Sequence, residues 1–438
     1  MVPASHFVRL KSDTTLNVYR TVLVIAGSLV LMAALRAQER LTPSALREHP
    51  QIAYSATRPH DAVARLNERL AAGEVRLTHD DRHGYLEAVL AALDVPVDSQ
   101  VLVFSKTSFQ APRITPRNPR ALYFNDSVSV GWVRGGEVVE LAAQDPTQGT
   151  MFYTLDQSSS EPPRFVRNAA CINCHTGEAT LDVPGLFAGS NYVDASGMPV
   201  YSPLFSTDHR TPFELRWGGW YVTGRHEGRH LGNAFATNLD DVTSMVTPET
   251  NHLERLDGRF DTAAYPASTS DIVALLVLEH QMRMINLMTR VGWEARVGAA
   301  AAGRPLDRAV DELVDYLLFV DEAELPGPIA GSSTFAKTFA AAAPRDRRGR
   351  SLKDLDLDEY LFKYPCSYLI YSPQFDALPE QVRRQIFARM YEVLSGRDPD
   401  PRYARLTEDR RRAAIDILLA TKPDLPAYFR GPLPSDTP

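Results

Sequence analysis

The hydrophobic positions change period along the chain. Residues 61–72 carry Ala62, Leu66 and Leu70 at helical spacing, and 85–93 predicts a second short helix. From residue 100 the texture becomes β-branched and apolar. Segments 100–105, 121–124, 128–133, 138–143 and 150–155 predict short strands, with turn signals at 112–119, Asn125-Asp126 and Gly135-Gly136. Such close spacing predicts an antiparallel meander. Another strand is expected over 217–223. The strongest helical period runs over 270–302, opened by Ser270-Asp271 and closed by Gly303. Helices over 305–324, 379–395 and 407–420 follow. The pattern predicts an α+β protein. Its N-terminal part (38–160) is β-rich, a Gly-, Pro- and aromatic-rich region spans 161–265, and 266–438 is mainly helical.

Ahead of this lies a segment of different character. Arg9, Lys11 and Arg20 precede an apolar run over 21–35, and Ala33, Ala34 and Ala37 mark its exit. A basic start, an apolar middle and small residues at the end form the layout of a secretory signal. The run is shorter than the roughly 20 residues a spanning helix needs. Residues 1–37 are therefore expected to be a signal peptide, or an N-terminal membrane anchor where uncleaved. Either way the remainder is expected to be exported, as in the periplasm.

Composition narrows the picture further. The 438 residues are 44% hydrophobic and 23% charged, which suits a globular core that needs no disulfide framework. A net charge of −7 offers no basic footprint, so no nucleic-acid partner is expected. Only six of the 47 basic residues are Lys.

The cysteines carry the sharpest signal. Cys171 and Cys174 stand in Cys-Ile-Asn-Cys-His, ending on His175, while Cys366 is alone in an aromatic run. C-x-x-C-H is the pattern of c-type haem attachment. Two thiols three residues apart reach the two vinyl groups of one porphyrin, and the next residue offers an imidazole to the iron. A zinc knuckle would want a second C-x-x-C, and a thioredoxin-like pair has no need of the histidine. Cys366 reads as a buried core thiol.

Around this motif the chain resembles the c-type cytochromes. Val183-Pro184-Gly185-Leu186 follows it much as those domains set a Pro/Gly loop against the haem edge. The rest of the chain is more loosely similar to large exported single-haem bacterial proteins. The resemblance implies a cytochrome c-like haem segment within 161–265 and one covalent haem c held by Cys171 and Cys174. It also implies His175 as the proximal iron ligand and electron transfer with redox protein partners in a periplasmic or respiratory chain. Haem attachment outside the cytoplasm agrees with the signal-like start.

The sixth iron position decides between functions. A filled position suits electron transfer, whereas an open one suits a peroxidase or oxidase-type enzyme or a haem-based sensor. Val273, Val277, His280, Met284, Leu287 and Val291 share one helix face, which makes His280 a distal candidate; the competing reading is a hydrogen-bonded core histidine. His209 and Arg210 are the catalytic candidates of an open site. His230 and Met198 are further ligand candidates, while Met282, Met284 and Met288 read as core filling. His226-Glu227-Gly228-Arg229-His230 matches the H-E-x-x-H zinc pattern. Its glycines argue against the helix that chemistry requires, so a zinc hydrolase is not expected. Arg345, Arg347, Arg348 and Arg350 read as a solvated loop.

Overall fold

The computed structural model describes residues 41–158, 162–200, 205–236, 246–298, 303 and 305–431. The signal-like segment 1–37 and the expected end of the long helix at 299–302 lie outside them. The architecture is α+β, with an antiparallel sheet in the N-terminal half and helices in the C-terminal part.

After one turn of helix at Pro43–Arg47, the helices α1 (Ala62–Ala71) and α2 (Leu86–Ala92) precede the sheet. Asp61 caps α1, its carboxylate accepting from Val63 and Ala64 N–H and from the Tyr153 hydroxyl. Strands β1 (Val101–Val103), β2 (Arg120–Phe124), β3 (Val128–Trp132), β4 (Val138–Asp145) and β5 (Gly149–Asp156) form the expected meander, and β6 (Phe165–Arg167), which was not expected, extends it. A two-stranded antiparallel pair, β7 (Ala188–Ser190) with β8 (Phe205–Thr207), lies beyond them. β9 (Trp220–Tyr221) pairs antiparallel with β1 and closes the seven-stranded sheet. The strand expected over 217–223 is this short because Trp217 and Gly219 adopt positive φ.

The register sorts the sheet into two faces of different chemistry. Leu102, Ala121, Tyr123, Val130, Leu141 and Tyr153 point to one side and pack under α1 and α2. The other side carries Leu122, Gly131 and Glu140 in one cross-strand row, and Phe124, Ser129, Ala142 and Phe152 in the next. This second face has small residues at its centre.

Opposite that face runs α4 (Ile272–Val297), capped by the Asp271 carboxylate and buried on nearly every side; α3, the turn that carries the motif, is described below. On its far side stand α5 (Leu306–Leu317), α6 (Glu380–Leu394) and α7 (Glu408–Thr421). α5 ends before the expected 324 because Phe319 takes a left-handed turn. The large core runs from Val101 to Phe429 and the second from Ile52 to Trp293. Among the described residues, no helix is long and apolar enough to cross a membrane.

Leu276 lies fully inside the α4 core. Leu276→Ala should lower unfolding stability by about 2–5 kcal/mol in urea melts; a loss within about 0.5 kcal/mol would mean this helix is not packed as described.

Candidate functional site

The motif sits in one tight helical turn. Asn168 accepts from Ala170 N–H at 3.0 Å and opens a 3₁₀ turn, Ala169–Cys171, that continues into α3 (Ile172–His175). Residues three apart on a helix share a face, so Cys171 and Cys174 project together. Both are free thiols; Cys171 is half-buried and Cys174 is exposed. Burial pushes the Cys171 thiol up to about 11, with the Glu140 carboxylate adding to the shift. A thiol-exchange pair needs the opposite shift, towards the thiolate.

His175 is clasped by a single residue. Its Nδ1 lies 2.9 Å from the carbonyl oxygen of Gly185, and Gly185 N–H donates to the His175 carbonyl at 3.0 Å. Nδ1 therefore carries the hydrogen, and the lone pair of the neutral ring falls on Nε2. Desolvation pushes the imidazole down to about 4, so it is neutral at pH 7. The Phe152 and Phe187 rings flank it at 4.9 and 5.9 Å between centroids.

Cys171, Cys174 and His175 all open onto one cavity of about 280 Å³ between the second sheet face and α4. Ser129, Gly131 and Ala142 form a low floor, Phe124 and Trp220 stand at its sides, and Leu278 and Met282 close it from α4. A Cβ at Gly131 would collide with the Arg120 guanidinium, so glycine is what lets that side chain cross the strand. Arg120 meets Glu140 in an ion pair inside the cavity, yet Arg120 Nε and Glu140 Oε1 are buried without hydrogen-bond partners. Phe109, 65% exposed, and Cys174 lie at the mouth. The lining is largely apolar, with a polar patch at Arg120 and Glu140. With Nδ1 engaged by Gly185, Nε2 is the ring atom of His175 left with a lone pair to offer a ligand.

The other expected residues lie elsewhere. His280 is fully buried, but Nδ1 is 2.8 Å from His209 Nδ1 and Nε2 is 2.8 Å from Ser367 Oγ. Both ring nitrogens are taken, and the ring stacks against Tyr316 and Phe319. His280 does not line the cavity onto which His175 opens. It sits two positions, about 200° around the helix, from the cavity-facing Leu278. His209 and Arg210 do not line the cavity either: His209 joins the His280 network, and Arg210 pairs with Asp208 at 2.7 Å.

Met198 is half exposed and outside the cavity, and His230 is buried against Trp217. His226 and His230 lie outside any helix, as their glycines indicate. Among the described residues, no three His, Cys, Asp or Glu groups converge to hold a bare metal ion. Arg345 and Arg350 are engaged by Asp354 and Asp346. Cys366 is buried, and burial pushes its thiol well up. Met284 and Met288 fill the core, but Met282 lines the cavity, which its residue type alone did not reveal. Nor did the sequence reading single out Arg120 and Glu140. Charged residues at inward positions of the two strands that flank β3 were the available signal.

Two predictions follow from this geometry. Gly185→Ala should loosen the His175 clasp, because the added methyl would collide with Asn286 Oδ1; an unchanged Nδ1–H resonance in NMR spectra would contradict it. The second concerns acid. Burial lowers His175, His209, His226, His230 and His280, the last to about 3, beneath an unfolded value of about 6.5. Below pH 6.5 the unfolded chain thus binds more protons, and this stability is lost as pH falls towards 3. Glu279 and Glu322, raised to about 7 by burial, oppose this only above about 4.5, where rising pH costs stability. Melting temperature should fall steadily from pH 6.5 to 4 by circular dichroism; a flat profile would contradict neutral buried imidazoles. Compared with known proteins, the chain matches no family model, no curated protein and no solved structure.

Proposed function

We propose that the chain is an exported c-type cytochrome that binds one haem covalently through Cys171 and Cys174, with His175 as an iron ligand, and transfers electrons with redox protein partners. One observation carries the reading: both thiols and the imidazole of the C-x-x-C-H motif open together onto an apolar cavity, with His175 Nε2 left free by the Nδ1 bond to Gly185. When bound, the haem supplies a one-electron iron couple. The residues of the chain do the rest. Cys171 and Cys174 tether, His175 orients along its bond to Gly185, and the apolar walls exclude water. The mouth at Cys174 and Phe109 leaves one edge open for a redox partner to approach. Met282 supports a filled sixth position, because it brings a soft, neutral thioether to the cavity wall. The export reading rests on the basic and apolar layout of residues 1–37.

A second reading, an enzyme with an open sixth position, is favoured by the Arg120–Glu140 pair, whose unpartnered polar atoms lie beside the cavity. Visible spectra of protein matured with haem-attachment machinery separate the possibilities. The electron-transfer reading expects c-type reduced bands that CO leaves unchanged in the native chain but shifts in Met282→Ala. Immediate CO binding by the native chain favours the enzyme. Cys171→Ser with Cys174→Ser should lose the covalent haem mass, and a native chain without haem absorbance refutes the proposal.

A further inference from the structure

Asn286 lies one helical turn beyond Met282 on α4 and is fully buried. Its Nδ2 donates to the Leu186 carbonyl at 2.7 Å, while its Oδ1 has no hydrogen-bond partner. That oxygen lies tight against Gly185, where a Cβ would collide with it. Gly185 is the residue that clasps His175 through both its N–H and its carbonyl. The adjoining Pro184 carbonyl accepts from Thr150 N–H at 3.2 Å. The 184–186 loop is thus gripped from three directions: by β5 at Thr150, by α3 at His175 and by α4 at Asn286.

A buried amide with an unsatisfied oxygen costs stability that an apolar side chain of similar volume would not. Its placement needs a reason, and its contacts supply one. We infer that Asn286 is a positioning residue for His175: by fixing the 184–186 loop it sets the Nδ1–H···O bond to Gly185, and through it the electron density that the imidazole gives to iron. The inference rests on the haem reading above. A firm acceptor on Nδ1–H makes the ring a more basic ligand, which favours the ferric state. Loosening the acceptor therefore raises the reduction potential.

The test uses the full-length holoprotein. Asn286→Leu keeps the branching at Cγ and removes the donor; Asn286→Ala removes both. Redox titration should show about a tenfold shift of the ferric/ferrous equilibrium towards ferrous, a rise of about 59 mV. Deuterium exchange of the His175 Nδ1 hydrogen, followed by NMR in the reduced state, should become about tenfold faster. Gln281→Leu is the control, because it removes another buried polar side chain of α4 that does not touch the loop. It should lower melting temperature and leave both readouts unchanged. If the Asn286 variants lose stability while potential and exchange stay at native values, Asn286 is a structural residue only and the inference falls. If they do not accumulate as folded protein, Gly185→Ala probes the same contact from the loop side, and an unshifted potential there overturns the inference equally. Failure of the haem reading is distinct, since the native chain would then show no haem absorbance at all.

Discussion

A helix buried on nearly every side must find partners inside the protein for most of the polar side chains it carries. α4 is under that constraint, and the partners it recruits define much of the interior. Glu279 is met by Thr207 at 2.5 Å and Arg216 at 3.2 Å. His280 is met by His209 and Ser367, and Gln281 by the Tyr368 hydroxyl and the Asn125 carbonyl. Asn286 reaches the loop beside His175, and Thr289 takes Gln374. Together these bonds tie α4 to several segments, so the helix works as the frame against which sheet, motif turn and C-terminal helices are set. The cavity exists because, over one stretch of this contact, the facing sheet presents Ser129, Gly131 and Ala142 rather than large residues.

The meander was legible because strands β2 to β5 alternate faces over short runs bounded by turn residues, and their observed ends lie within two residues of the expected ones. The motif was legible because two thiols and an imidazole at fixed spacing are a chemical signature that needs no tertiary context. Legibility ended where tertiary packing decides. On α4 the 3.6-residue period selected the His280 stripe, but a helix buried all round gives no single face priority. The side turned to the cavity, with Leu278 and Met282, looks in sequence like any other part of the core. Likewise, Arg120 and Glu140 lie far apart in the chain and become neighbours only through the β2–β3–β4 register.

The clasp of His175 by Gly185 shows how a weak sequence feature acquires meaning. A Val-Pro-Gly-Leu stretch is only a turn signal by composition. In the structure its glycine carbonyl selects which ring nitrogen keeps the hydrogen, and its missing side chain makes room for Asn286. The polar network around His209 and His280, which resembled a distal site in sequence, instead secures α4 against the elements behind it.

The cavity walls are drawn from distant parts of the chain, from Val103 on β1 to Met282 on α4. Such a space comes into being only when long-range contacts close, which is the slow part of folding. The two cysteines, by contrast, share a single helical turn and can be presented by a short local segment. Under the haem reading, tethering can therefore precede closure, and the tethered group would become the surface on which sheet and helix meet. A chain that closed first would trap an unfilled apolar void and forfeit its packing energy. On that reading the order of maturation follows from the topology: a local tether first, and a non-local enclosure after it.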